Sequence, residues 1–341
     1  MSFISFVSGA TERVPMPDVA IRALIHELCA RRAARLANGG AANDAAFARA
    51  MASRPLVAPG DASCSRHTEV PAAFFAQMLG PNRKQSCCFY KEAVSTLQEA
   101  EEEALRQTVA NADLANGQTI LELGCGWGSL SLWIARQFPR AQVTAVTSSH
   151  AQRRIIEDEA AARGLTNLSV VTSDMNLFAP AMRFDRIVSV EMFEHIMNWR
   201  ALLMQVRSWL APHGRFFMHV FAHRAGAYLF DRADRADWIA QHFLAGNLMP
   251  SHGLIGQYGD LFAIEKEWRW SGAHYQRTAL AWLANFDAHH DRIKATLLPV
   301  YGGETHLWMR RRRWFFLATA GLFGFDGGSE WGISQYRMAA A

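Results

Sequence analysis

Residues 121–130 read LELGCGWGSL, and Glu122, Gly124, Gly126 and Gly128 stand there at alternate positions after a short apolar run. A helical pattern of Leu130, Leu132, Ile134 and Phe138 follows at once. Glycines at this spacing let a chain turn tightly after a strand and let a ligand lie against bare backbone. A dinucleotide site is the competing reading. It asks for glycine at position 129, which is Ser129, and for an acid about 20 residues further on. The segment that should carry that acid ends in Ala145-Val146-Thr147-Ser148-Ser149 instead. The acid stands inside the turn, at Glu122, where a carboxylate suits a cationic ligand better than a pyrophosphate. These residues point to S-adenosylmethionine. Thr147 and Gln152 follow the next strand, where they can bond ribose hydroxyls, and Asp174 follows the third, within reach of an adenine amino group.

A second group lies in IVSVEMFEHIMNW (187–199), where Glu191, Glu194 and His195 fall at i, i+3 and i+4. If the chain turns helical there, all three project from one face. Two carboxylates and an imidazole fit proton handling and the attraction of a cation. An amine is protonated near neutral pH, so it must lose a proton before it can accept a methyl group. Holding the reactants in line and dry would supply much of the remaining acceleration. A sulfonium donor is already activated, so this chemistry requires no metal. His219 and His223 stand in FMHVFAH (217–223), at the end of a later strand where an acceptor should sit. Glu194→Gln and His195→Ala are expected to lower turnover much more than cofactor affinity.

The elements that must position these residues alternate. Short apolar strands are expected at 119–123, 142–147, 168–172, 184–190 and 214–221, with helices at 129–138, 149–163 and 199–210. Such alternation implies right-handed crossovers and a parallel sheet covered by helices, with ligands at the carboxyl ends of its strands. Strands near 261–270 and 331–338 would complete the sheet. Residues 18–37 have helical spacing, 38–66 read as a loop with some local helix, and Thr96-x-x-Glu99 is a capping box opening a helix to about 112. The expected division is a helical region over 1–95 that helps cover the cofactor, a binding core over 96–223, a substrate lid over 224–260, and the rest of the sheet with further helices over 261–341.

At 341 residues and 50% apolar composition the chain can bury a sizeable core. A net charge of +4 gives no case for nucleic-acid binding. Residues 314–325 (WFFLATAGLFGF) are too short to span a bilayer, which takes about 20 residues, and read as a buried helix. The basic run Arg310–Arg313 reads as its solvated start. The five cysteines show no metal-type spacing, and the first residues make a poor signal peptide, so a cytoplasmic protein is expected. The sequence leaves room for a homodimer.

Several motifs together carry a resemblance: SCCFYKEAVSTLQEAEEEAL (86–105), the glycine turn, VTAVTSSHAQ (143–152), VEMFEHIMNW (190–199), SGAHYQRT (271–278) and GGSEWGISQY (327–336). From about residue 70 onward the chain resembles the cyclopropane fatty acid synthase superfamily of S-adenosylmethionine-dependent methyltransferases, and within it the coclaurine N-methyltransferase-like branch. The resemblance implies an α/β fold of the class I methyltransferase type. That is a Rossmann-like, mostly parallel sheet whose last strand is antiparallel, with an N-terminal helical segment and a helical, aromatic lid. It also implies a cofactor contact at Ser86, although the family's preceding tyrosine is Gln85 here. Gly124, Gly126, Thr147, Gln152 and Asp174 match cofactor positions.

Two chemistries occur in the superfamily. Its lipid-modifying members hold a bicarbonate base with a cysteine, a glutamate, a histidine and a tyrosine, which Cys87, Glu194, His219 and Tyr275 resemble. The coclaurine-like branch uses a trio matched by Glu191, Glu194 and His195, whereas the lipid-modifying members have a small residue at position 191. An extra carboxylate suits a cationic amine, so an N-methyltransferase of small alkaloid-like amines, benzylisoquinolines among them, is the expectation. Synthesis of cyclopropane rings on phospholipid acyl chains, with peripheral membrane contact, is the alternative. ADWIAQHFLAGNLMP (236–250) resembles the family's substrate cap, in which Trp238, Phe243 and Met249 would cage a flat amine, with Cys87 and His223 nearby.

Overall fold

The computed structural model describes residues 16–37, 41–57, 70–234 and 237–341. Cys64 and the N-terminal residues read for a signal peptide lie outside them. The strands are Thr119–Leu123 (β1), Gln142–Thr147 (β2), Leu168–Thr172 (β3), Phe184–Val190 (β4), Leu210–His223 (β5), Tyr228–Leu229 (β6), Leu248–Met249 (β7), Phe262–Ser271 (β8) and Trp331–Ala340 (β9). Seven of them form one sheet in the order β3-β2-β1-β4-β5-β9-β8. β1 to β5 are parallel, and β9 lies between β5 and β8, antiparallel to both. β1 (TILEL) is buried on both faces, as a parallel strand under helices must be. β8 closes the sheet as an edge and carries Glu265, Lys266, Glu267 and Arg269, charges that discourage pairing with another chain.

The helices are Asp18–Leu36 (α1), Ala41–Ala52 (α2), Ala72–Met78 (α3), Leu97–Asn111 (α4), Ser129–Gln137 (α5), His150–Ala162 (α6), Trp199–Trp209 (α7), Gly272–Ala288 (α8), His290–Tyr301 (α9) and Thr305–Gly324 (α10). α4 starts at the expected capping box: Glu99 N donates to Thr96 Oγ1 at 3.3 Å, and Thr96 N donates to Glu99 Oε2 at 2.8 Å. α5 buries Leu130, Leu132 and Ile134, each worth roughly 1.5–3 kcal/mol against exposure.

The structure refines two expectations. The stretch over 38–66, expected as a loop with some local helix, holds a full three-turn helix, α2, because its alanines are strong helix formers. Val57, just after it, bridges to Ile196 and so reaches the functional end of the sheet. The basic run is not the solvated start of α10. Arg312 is buried, donates to Tyr301 Oη at 2.8 Å and lies over the Phe74 ring, while Arg313 clamps both Asp18 of α1 and Asp287 of α8. The apolar half of α10 is buried as expected. Among the described residues no helix is long and apolar enough to cross a membrane.

Candidate active site

A cavity of about 970 Å³ opens at the carboxyl ends of β1, β2 and β4. Its floor is the glycine turn. Gly124 and Gly126 have φ of +75° and +52°, a region that side chains disfavour. A Cβ at Gly124 would meet Met192 Cγ at 2.6 Å, whereas at Gly126 it would meet no protein atom within 4 Å. The bare Gly126 backbone therefore faces the cavity that a ligand would fill. Ser86, Glu122, Thr147, Gln152 and Asp174 line the same void. Gly128 does not; it packs on Ile156 and opens α5. Thr147 Oγ1 and Gln152 Oε1 are bonded to each other, and Asp174 Oδ1 accepts from Asn176 N at 2.7 Å. Glu122 is buried and accepts from Ser131 Oγ; burial pushes its carboxyl up to about 7. This set fits the cofactor expected from the sequence: a narrow bare floor, hydroxyl-reading groups along β2, and an acid against the turn.

Glu191 follows β4 directly with φ +49°, a left-handed conformation held by its N–H donating to His219 O at 2.8 Å. Such a conformation costs a non-glycine residue about 1–3 kcal/mol and persists only where its surroundings impose it. Its carboxylate is bound on three sides. Cys87 N donates to Oε1 at 2.8 Å, Tyr275 Oη donates to Oε2 at 2.8 Å, and His219 Nε2 lies 3.4 Å from Oε1. Burial pushes this carboxyl up, but His219, the Lys84 charge and the Cys87 N–H outweigh it and hold it below the ordinary value. Glu191 is an anion at neutral pH. Tyr275 is pushed well above its ordinary value by burial and by Glu191, so it remains a donor. Burial lowers His219 despite Glu191. With Nδ1 taking the Gln335 amide at 3.1 Å, the proton of the neutral ring sits on Nε2, toward Glu191.

The left-handed residue at 191 changes what the i, i+3, i+4 spacing means. The chain leaves β4 through Glu191 into a single 3-10 turn, Phe193–His195, so the trio does not share one helical face. Glu194 points away from the cavity into the sheet. It is fully buried, accepts from Phe221 N at 2.7 Å, and leaves Oε2 without a partner. Burial, then the Glu191 charge, pushes its carboxyl well above the ordinary value, so it is a neutral acid. Glu194→Gln copies that neutral group and should keep kcat within about three-fold, because an isosteric amide still accepts from Phe221 N–H. A steady-state assay beside a thermal melt checks this, and a hundred-fold loss would return a charged role to Glu194.

His195 faces the other way, open to the cavity although protein surrounds it. Burial lowers its pKa, against the opposing influence of Asn247 and Glu191, so the imidazole is neutral and able to take a proton. Of Cys87, Glu191, His219 and Tyr275, Glu191 alone lines the cavity; the others stand behind its carboxylate. The Cys87 thiol is pushed well above its usual value by burial and is no nucleophile.

The remaining acceptor candidates are placed elsewhere. His223 is buried, 3.2 Å from Glu330 Oε2, with Nδ1 accepting from Ala225 N and Gly226 N. Met249 is buried in the β6-β7 ribbon. Trp238 and Phe243 pack on each other and on α10, through Trp314 and Phe315 respectively; Trp238 lines a separate apolar cavity of about 170 Å³. These three form no common cage around the catalytic cavity. Apolar lining of that cavity comes instead from residues that include Val57, Met175, Ile196, Met197, Leu229 and Phe230. Sequence reasoning missed Val57, which lies in the alanine-rich stretch without a marker. It also missed Lys84, although that residue stands two before Ser86. Among the described residues no group of three or more His, Cys, Asp or Glu side chains is placed to hold a metal ion.

Comparison with known proteins gives the family. Residues 59–309 match the model of the family described as mycolic acid cyclopropane synthetase. The chain is 35% identical over 272 residues to (S)-coclaurine N-methyltransferase of Thalictrum flavum subsp. glaucum, covering 78% of this chain and 75% of that one. Identity to cyclopropane-fatty-acyl-phospholipid synthase of Escherichia coli (strain K12) is 29%, covering 75% of this chain and 63% of the relative. A crystal structure of coclaurine N-methyltransferase bound to N-methylheliamine and SAH superposes with a TM-score of 0.90 at 30% identity, covering 95% of each chain.

Proposed function

We propose, from the premise that the chain belongs to the mycolic acid cyclopropane synthetase family, that it methylates the nitrogen of a small, flat, alkaloid-like amine. It is an S-adenosylmethionine-dependent methyltransferase. Residues 224–260 are read as its substrate lid and residues 96–223 as its cofactor core. When bound, the cofactor supplies an electrophilic methyl group on a sulfonium. The roles of the chain's own residues follow from their states. Glu191 is a fixed anion whose field draws an ammonium toward the part of the cavity lined by Ile196, Leu229 and Phe230. His195, neutral and open to the same space, accepts the proton that the amine must lose. Val57, Ile196, Leu229 and Phe230 keep water from the reacting atoms.

The observation that carries this reading is the occupant of the Cys87, Tyr275 and His219 cradle. In the alternative reading these groups help to hold a bicarbonate base. Here they converge on the side chain of Glu191, a carboxylate that belongs to the protein itself. A second carboxylate-shaped anion has no place there while Glu191 stays. Resemblance to the alkaloid N-methyltransferases points the same way. An unpaired set of buried thiols, Cys29, Cys87, Cys88 and Cys125, supports a reducing, cytoplasmic setting.

The test uses cofactor with a fully deuterated methyl group, offered with cyclic secondary and tertiary amines and separately with vesicles of unsaturated phospholipid. An amine product retaining the whole label is expected by mass spectrometry. A lipid product that has lost one deuterium, the mark of ring closure across a double bond, would overturn the reading.

A further inference from the structure

Lys84 is 3% exposed and lines the cofactor cavity. An ammonium carries three N–H donors and no acceptor, yet the Lys84 side chain has a single hydrogen-bond partner, the neutral hydroxyl of Ser86 at 2.5 Å. No carboxylate of the described residues comes within ion-pair reach of it. A buried cation without an anion is costly, and natural interiors normally pair it. The position is also held deliberately. Glu101, fully buried, accepts from the backbone N–H of Asn82 at 2.9 Å and of Lys84 at 3.3 Å, which fixes the segment that delivers the lysine. Gly80 closes the same arrangement, since a Cβ there would meet the Glu101 carboxyl at 2.6 Å.

Arg83, Glu122 and Glu191 are among the other charged groups that line the cavity, and Glu191 is already held by Cys87, Tyr275 and His219. Glu122 lines the cavity beside the glycine turn, near enough for the Lys84 charge to act on it. A buried cation and a buried acid facing one void match a ligand that ends in both charges. The amino-acid tail of S-adenosylmethionine is such a zwitterion, with an ammonium and a carboxylate on one carbon.

We propose that Lys84 receives the carboxylate of the cofactor's amino-acid tail while Glu122 faces its ammonium, with Ser86 bridging from the lysine. This rests on the cofactor reading above and adds to it a device for recognising the tail rather than the nucleoside. It also makes the cofactor itself the missing counter-ion of a buried lysine. The nucleoside end, read by Thr147 and Gln152, should then bind independently of Lys84.

Calorimetry with S-adenosylhomocysteine and its decarboxylated analogue, on the wild type, Lys84→Met and Lys84→Arg, tests the proposal without turnover. The wild type should prefer the intact tail by about 100-fold, the size expected of a buried charge-assisted hydrogen bond. Lys84→Met should lose that preference, with unchanged affinity for the decarboxylated analogue, and Lys84→Arg should keep most of it. If Lys84→Met weakens both ligands alike, or retains the wild-type preference, the lysine is structural and the proposal falls. If Lys84→Met does not fold, the wild type and Lys84→Arg decide: equal affinity of the wild type for the two ligands overturns the assignment. Failure of the wild type to bind S-adenosylhomocysteine at all would instead strike the cofactor reading.

Discussion

Glu191→Gly is expected to lower amine methylation by about 10²–10³-fold, the usual loss when one preorganised electrostatic group is removed from a dry site. Cofactor affinity should change little, because Glu191 lies beyond the glycine turn rather than against it. The substitution tolerates the backbone: glycine adopts the φ of +49° without strain. It leaves the Cys87 N–H, the Tyr275 hydroxyl and the His219 Nε2–H converging on empty space. Buried donors without an acceptor attract a small anion, so formate or bicarbonate should restore part of the lost rate in a saturable way. Chloride at the same ionic strength should not. Steady-state rates against formate concentration check this, and full activity without added anion would remove Glu191 from the mechanism.

The second large effect is His195→Ala. Loss of a positioned general base lowers turnover by about 10²–10⁴-fold, with binding of S-adenosylhomocysteine unchanged. The pH dependence separates this from a packing defect. Burial lowers the His195 pKa below 6.5, so the wild-type imidazole is neutral at pH 7 and protonates only on acidification. The wild-type kcat/KM should therefore rise with pH through that lowered value and level off above it. In His195→Ala the inflection belonging to this residue should vanish while a small, pH-tolerant rate remains from positioning alone. An unaltered acid limb in the variant would assign the titration to another group.

Much of this was legible before any coordinates. Parallel strands buried on both faces are written as short apolar runs, and the glycine turn announces itself because only glycine accepts those angles so close to a ligand. The capping box gave the start of α4 by its two side chains alone. What stayed hidden depends on direction rather than type. Glu194 sits at a helical spacing from Glu191, yet one left-handed residue turns it into the sheet, and no periodicity encodes that. Trp238, Phe243 and Met249 have the composition of an aromatic cage, but the packing surfaces of α10 and of the β6-β7 ribbon compete for them. Arg312 and Arg313 look solvated by type, yet the first is buried and the second half-buried in ion pairs because Tyr301, Phe74, Asp18 and Asp287 come from distant parts of the chain. Lys84 is ordinary in sequence and unusual only in being buried without an anion.

The left-handed backbone at position 191 bears on how such a site diverges. A glutamate codon and a glycine codon differ by one base, and the main chain at this point is more at ease with glycine than with the residue it carries. Selection must therefore hold the carboxylate in place against a conformational pull toward losing it. A lineage in which the amine ceases to matter would drift to glycine with no backbone penalty and would inherit, ready-made, an anion pocket walled by Cys87, His219 and Tyr275. The boundary between two chemistries in this fold then runs through a single mutable position, open in one direction and uphill in the other.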